Sequence, residues 1–215
     1  MQEDNSIARR RMVQLQLANR GITDERVLAA MLDVPRHEFV ASQFREQAYE
    51  DHPLPIGAGQ TISQPYIVGL MLEALELRPS DKVLEVGTGS GYVTALLAEL
   101  AAQVFSIERH AELANRARDL LAALAYSNVK VFIGDGSLGL PAYAPFDAII
   151  VSAAAPDLPL PLLSQLREGG RMIVPVGRED AQQLHLVHLR DGQPEILPRE
   201  PVRFVPLVQG DHSEE

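Results

Sequence analysis

Three acids stand in or just after three consecutive apolar runs: Glu85 in KVLEV, Glu108 closing QVFSI and Asp135 following VKVFI. Between the first two lies EVGTGSGY, with Gly87, Gly89 and Gly91 in G-x-G-x-G spacing around Thr88. Glycines after a strand let the chain turn sharply and let a ligand approach the main chain. The spacing is not the G-x-G-x-x-G of dinucleotide folds. An acid about 20 residues further on is placed to accept from ribose hydroxyls, and Glu108 meets that condition. Any one of these acids taken singly is more often a helix cap or loop acid, and a glycine loop alone is weak evidence of a ligand. As a set, at the carboxyl edge of a parallel sheet, they suit a nucleoside that carries positive charge better than a pyrophosphate.

A second stretch, GAGQTISQPYI at Gly57 to Ile67, offers only mild groups: the amide of Gln60 and the hydroxyls of Thr61 and Ser63. It holds no cysteine, histidine or acid. Pro65 suits the first turn of a helix, which makes Ser63 or Gln64 its candidate N-cap. Other chemistry is thinner. His185 and His188 fall on opposite faces of a strand, so no metal site is expected. Arg9, Arg10 and Arg11 read as a solvated helix face. The chain contains no cysteine, which removes disulfides, cysteine-ligated zinc and cysteine nucleophiles together.

The elements that must position these groups follow from periodicity. KVLEV (82–86), QVFSI (103–107), VKVFI (129–133), FDAIIV (146–151) and RMIVPV (171–176) are predicted strands. Helical patterns lie between them at YVTALLAEL, at AELANRARDLLAAL and near Leu160 to Leu166. This alternation implies parallel strands with crossover helices. Upstream, Ile7 to Arg20 has helical spacing ending at Gly21, and Thr23 or Asp24 can cap a second helix through Met31. Arg36 to His52 has room for one short helix, and no strand is evident in this helical extension. QQLHLVHLRDG alternates as an antiparallel strand, with Asp191-Gly192 as a hairpin turn. VRFVPLV (202–208) is its expected partner or neighbour, with Pro206 at an edge or bulge.

The expected organisation is a single domain: residues 1–80 as a helical segment carrying the GAGQTIS loop, 81–210 as the α/β core, and 211–215 as a disordered tail. The chain has 215 residues, 46% of them hydrophobic and 22% charged, which fits a globular protein. Its formal net charge of −10 lacks the basic footprint of a nucleic-acid binder. No apolar run reaches membrane-spanning length, and MQEDNSIARRR has no apolar signal core. The expected compartment is the cytoplasm.

Beyond these generic signals, the sequence resembles the protein-L-isoaspartate O-methyltransferase family. The likeness runs from about Arg11 to Val208, through RMVQLQLANRGITDERVLAAMLDVPRHEFV, AYEDHPLPIGAGQTISQPYIV, KVLEVGTGSGY, VFSIER, GDGSLGLPAYAPFDAIIVSAAAPDLP, LREGGRMIVPVG and VRFVPL. It implies a class I methyltransferase fold, Rossmann-like with a mostly parallel seven-stranded sheet, and an N-terminal helical extension. It implies S-adenosylmethionine as cofactor and L-isoaspartyl proteins and peptides as substrates, with no obligate partner. Gln60, Thr61, Ile62 and Ser63 would then line the substrate site, with Ser63 as the active residue. Gly87 and Gly89, with Glu85 and Thr88 beside them, would carry the methionine end of the cofactor. Glu108 would take the ribose, with Arg109 next to it, and Asp135 and Gly136 would lie at the adenine. One departure is Val93, where many relatives carry glutamine; it is expected to touch helix packing only.

Such a substrate brings its own ionised nucleophile, an α-carboxylate of pKa about 3.5, so no general base is required. Two other functions stay open on the sequence. One is a tailoring enzyme that methylates aspartate in a dedicated peptide. The other is a cofactor-binding adaptor without catalysis.

Overall fold

The near-continuous valine and isoleucine runs form the centre of one sheet, as strands buried on both faces must. A computed structural model of the protein describes residues 5–178 and 181–210; the expected tail at 211–215 lies outside the described residues. The sheet strands are β3 (Lys82–Val86), β4 (Gln103–Glu108), β5 (Val129–Ile133), β6 (Phe146–Val151), β7 (Leu166–Arg178), β8 (Ala181–Arg190) and β9 (Gln193–Val202). Their order is β5-β4-β3-β6-β7-β8-β9. The first five in that order pair in parallel, while β7–β8 and β8–β9 are antiparallel. Successive residues of β3 feed opposite faces: Val83 joins one apolar cluster and Leu84 the other.

The crossovers are α4 (Tyr92–Leu100) between β3 and β4, and α5 (Ala111–Ala123) between β4 and β5. The chain then returns across the sheet to place β6 on the other side of β3. Such a reversal opens a crevice at the carboxyl ends of the two strands. Gly87 and Ser152, the residues following β3 and β6, face each other there: a Cβ built on Gly87 would lie 3.4 Å from Ser152 Cβ.

Upstream, α1 (Asn5–Met12) continues as a π-helical turn over Val13–Leu17 and a 3-10 turn over Ala18–Arg20. Gly21, at φ 98°, ends it as the glycine stop predicted. Asp24 caps α2 (Glu25–Asp33), its carboxylate accepting from the Arg26 and Val27 amides. Two 3-10 segments, Arg36–Phe39 and Ser42–Gln47, replace the single helix expected there. Met12, Leu17 and Met31 share one apolar cluster with Val83, Val104 and Ala148 of the sheet. The N-terminal elements and the sheet therefore have one core.

Three expectations need correction. The extension does contain strands: β1 (Leu54–Gly57) and β2 (Gln60–Ile62) form a hairpin whose turn residues, Ala58 and Gly59, have φ of 49° and 68°. Strands of four and three residues are too short to show period-2 alternation. The partner of β8 is β9, turned back at Asp191-Gly192, rather than VRFVPLV. Pro194, Pro198 and Pro201 fit β9 because it is the sheet edge, where a missing N–H costs least. The segment after β9 instead crosses to the loop after β6, where Ala154 forms a parallel bridge with Pro206. Finally, the helix near Leu160 is a single turn, α6 (Leu160–Leu163), because Leu166 already starts β7.

Candidate active site

A cavity of about 350 Å³ occupies the crevice at the carboxyl ends of β3, β4 and β6. The glycine loop forms its floor. Gly87, Gly89 and Gly91 have φ of 93°, 53° and 88°, values that favour glycine. Gly136 joins the wall from beyond β5. A Cβ there would stand 2.6 Å from Val86 Cγ1, so this close approach of main chain depends on glycine.

Among the described residues, Glu108 is the one acid on the cavity wall. Only 5% of it is exposed. Its Oε2 accepts from the Gly89 amide at 2.9 Å and its Oε1 from the His110 amide at 2.9 Å. Each oxygen has a further lone pair for a ligand hydroxyl. Arg109 lines the same wall.

Glu85 and Asp135 are placed differently. Glu85 does not line the cavity; it is fully buried beneath it. Its Oε2 accepts from Thr94 Oγ1 of α4 at 2.5 Å and from Ser106 Oγ of β4 at 2.6 Å. Among the described residues its Oε1 has no partner. Burial pushes its pKa up to about 8, against the hydrogen bonds from Ser106 and Thr94, which lower it. At neutral pH this group is chiefly a neutral carboxylic acid. Ser106 Oγ also meets Thr88 Oγ1 at 2.5 Å, so the buried acid supports the glycine loop from below. Asp135 lies beside the cavity with both oxygens engaged. Oδ1 accepts from the Ser137 amide and hydroxyl, and Oδ2 from the Gly210 amide at 2.8 Å. Burial would raise its pKa, but those bonds and the nearby Arg109 outweigh it and hold the carboxyl below its ordinary value. The set of three acids thus resolves into one on the wall, one underneath and one at the side.

Gln60, Thr61, Ile62 and Ser63 all line the cavity from the β1–β2 hairpin side. A second cavity, about 620 Å³, adjoins it. Thr61, Ser63 and Ser152 line both, and so do Val205 and Pro206. Ser63 therefore stands at the junction. The structure also separates its two candidate roles. Helix α3 (Pro65–Ala74) has Gln64 at its N-cap, with no side-chain cap bond from that residue. Asp51 serves this helix end instead: Oδ1 accepts from the Tyr66 amide at 3.4 Å and Oδ2 from Gln64 Nε2 at 2.8 Å. Among the described residues no hydrogen bond involves the Ser63 hydroxyl, which leaves it free at the cavity junction.

The wall also includes Tyr92, Ile107, Ser152 and the run Val205 to Val208. The last four reach the cavity through the crossing strap, where the Ala154 amide donates to Val205 O at 2.8 Å and the Leu207 amide to Ala154 O at 2.7 Å. Such a non-local pairing leaves no periodic signal. Val93 also lines the cavity, so this departure from the family pattern bears on the pocket as well as on helix packing. Among the described residues, no group of three or more histidine, cysteine or acidic side chains could hold a metal ion. Among them, too, no helix is long and apolar enough to cross a membrane.

The family model for protein-L-isoaspartate(D-aspartate) O-methyltransferase matches residues 8–212. A protein-L-isoaspartate O-methyltransferase of Koribacter versatilis (strain Ellin345) is 57% identical over 203 residues, covering 94% of this chain and 91% of that one. One from Methanoculleus marisnigri (strain ATCC 35101 / DSM 1498 / JR1) is 54% identical over 200 residues, covering 93% and 91%. Among solved structures, a Plasmodium falciparum chain, described as a candidate protein-L-isoaspartate O-methyltransferase in complex with S-adenosyl-L-homocysteine, superposes with a TM-score of 0.84. It is 28% identical, over 97% of this chain and all of that one. The fold is that of the class I methyltransferases, a mostly parallel seven-stranded sheet with added N-terminal helices. By sequence match and fold together, the chain belongs to the protein-L-isoaspartate(D-aspartate) O-methyltransferase family.

Proposed function

We propose that the protein is a repair methyltransferase that moves a methyl group from S-adenosylmethionine to the α-carboxylate of L-isoaspartyl residues in damaged proteins and peptides. The observation that carries this reading is the unbonded Ser63 hydroxyl at the junction of two cavities, with no acid or base bonded to it. When bound, S-adenosylmethionine supplies an electrophilic methyl on a cationic sulfur. The residues present fit such a group. Glycine main chain forms the floor of the first cavity, and Glu108 offers two acceptor oxygens suited to vicinal hydroxyls. The wall's acid also favours a cationic ligand. Gly87, Thr88 and Gly89 would hold the methionine end, with Glu85 acting on them through Ser106. Arg109, Gly136 and Asp135 would flank the nucleoside.

The substrate's carboxylate would enter from the second cavity, past Thr61, Ser63 and Ser152. It is already ionised at neutral pH, so the chain has no proton to remove. A carboxylate side chain at this point would repel it, and a lysine would hold it too firmly to react. A hydroxyl orients it at intermediate strength, about 1.5–3 kcal/mol for a hydrogen bond to a charged group. Orientation and exclusion of water carry the rest, because transfer cancels one positive and one negative charge.

The test is to incubate the protein with methyl-labelled S-adenosylmethionine and matched peptides containing isoaspartate or aspartate. Label confined to the isoaspartyl peptide is expected. Label confined to aspartyl peptides would identify a tailoring enzyme instead, and cofactor binding without label an adaptor.

A further inference from the structure

Arg36 is a buried cation that the described chemistry leaves without a task. It lies in the 3-10 segment after α2 and none of its surface is exposed. Its Nε donates to Ala48 O at 2.7 Å and its Nη2 to Ser63 O at 2.8 Å. The guanidinium carbon sits 4.8 Å from the centre of the Tyr92 ring. The guanidinium also acts on the Tyr92 hydroxyl, electrostatically and through a long side-chain hydrogen bond; among the described residues neither Nη1 nor that hydroxyl has a closer partner. Among the described residues Arg36 forms no ion pair; Asp51, the acid that acts on it, is bonded to Arg20 at 2.5 Å.

A guanidinium keeps its charge when buried, and burying a cation without a carboxylate is unfavourable. A neutral amide could satisfy two carbonyls without that cost. What the cation adds is positive potential immediately behind Ser63. The geometry adds a second effect. Ser63 closes the β2 side of the site and Tyr92 opens α4 directly after the glycine loop. One side chain therefore touches both halves of the site.

We propose that Arg36 is a positioning residue for methyl transfer, holding Ser63 in register with the glycine loop while its charge draws the substrate carboxylate toward the Ser63 hydroxyl. The inference rests on the methyltransferase reading above and deepens it. The field and the clamp are separable. Lysine keeps the charge and loses the two-pronged hydrogen bonding; methionine loses both and keeps much of the volume.

The experiment measures kcat, peptide KM, the dissociation constant for S-adenosylhomocysteine and thermal melting for Arg36→Met and Arg36→Lys. Arg36→Lys is also combined with Ser63→Ala. Arg36→Met is expected to raise the isoaspartyl-peptide KM about tenfold or more and to lower kcat, with S-adenosylhomocysteine affinity within about twofold of wild type. Arg36→Lys is expected to return KM to within about threefold of wild type while kcat stays low. In the Ser63→Ala background it should change kcat by less than about twofold, because both substitutions remove one interaction. Wild-type KM and kcat in the variants would overturn the proposal. So would a full multiplicative effect of Arg36→Lys on Ser63→Ala, or a loss of cofactor affinity as large as the loss for peptide, since either would mark a structural prop. If the methionine variant does not fold, the lysine variant and its cycle decide. A wild-type protein that fails to label isoaspartyl peptide sinks the function and this inference together; an active wild type with unaffected Arg36 variants sinks this one alone.

Discussion

At the scale of single residues, the free Ser63 hydroxyl separates catalysis from stability. Asp51 serves the helix end for which Ser63 was a candidate cap. Ser63→Ala should therefore lower kcat about 10- to 100-fold, the worth of one hydrogen bond to a charged group. Cofactor affinity should change little and the urea midpoint hardly at all. Unaltered turnover in a peptide assay would remove Ser63 from the chemistry. Glu85 makes a different prediction, about pH. Its folded pKa of about 8 lies above the ordinary 4.5. Between those values the unfolded chain has released this proton and the folded chain keeps it, so stability falls as pH rises through that window. Glu85→Gln replaces the neutral acid with a near-isosteric amide and removes the term. The variant's melting temperature should gain on wild type steadily from about pH 4.5 to 8; a constant difference across that range would show that Glu85 is not held neutral.

At the scale of elements, short local structures carry the site and long regular ones carry the frame. Helix α3 begins directly after Ser63 and Gln64, and its first turn leans on Asp51 from a loop outside the helix. Asp51→Ala should cost about 1 kcal/mol, in the range for a lost N-terminal cap, read as a lower urea midpoint. The Arg20–Asp51 pair adds little to this, because the arginine side chain is 41% exposed. Arg20→Ala should therefore be milder than Asp51→Ala, and the reverse order would mean that Arg20's own contacts, the ion pair and its stacking over Tyr66, outweigh the helix end.

At the scale of the whole molecule, polar ties join segments far apart in sequence. Arg171 of β7 meets Asp81, just before β3, at 2.6 Å, with 7% and 1% of the two side chains exposed. Arg26 of α2 donates to Leu100 O at 2.6 Å and also to Leu77 O. Glu73 of α3 accepts from the Thr23 and Asp24 amides. Asp81→Ala strands the Arg171 charge and should destabilise the fold by about 3–5 kcal/mol. Replacing Asp81 and Arg171 together with leucine should cost less, since no charge is then left buried alone. Thermal or denaturant unfolding of both variants checks the order.

The sequence by itself determined the frame. Buried strands must be continuously apolar and crossover helices amphipathic, so the β3 to β7 strands and α4 and α5 were legible from periodicity, and the glycines announced a turn between β3 and α4. Gly87, Gly89 and Glu108 suited one ligand class by type and spacing, whereas Gln60 to Ser63 became site candidates through the family resemblance. Only the tertiary structure decided where each group sits and what it bonds. Glu85, Glu108 and Asp135 look alike along the chain, yet burial, cavity exposure and hydrogen bonding give them three different states. The β1–β2 hairpin left no pattern because its strands are short, and the strap at Val205 to Val208 read as a neighbour of β8 because its true partner, the loop after β6, is distant in sequence. Arg36 stayed hidden for the same reason. Its burial behind Ser63 depends on how the N-terminal segment packs against the glycine loop, and packing between segments has no period to read.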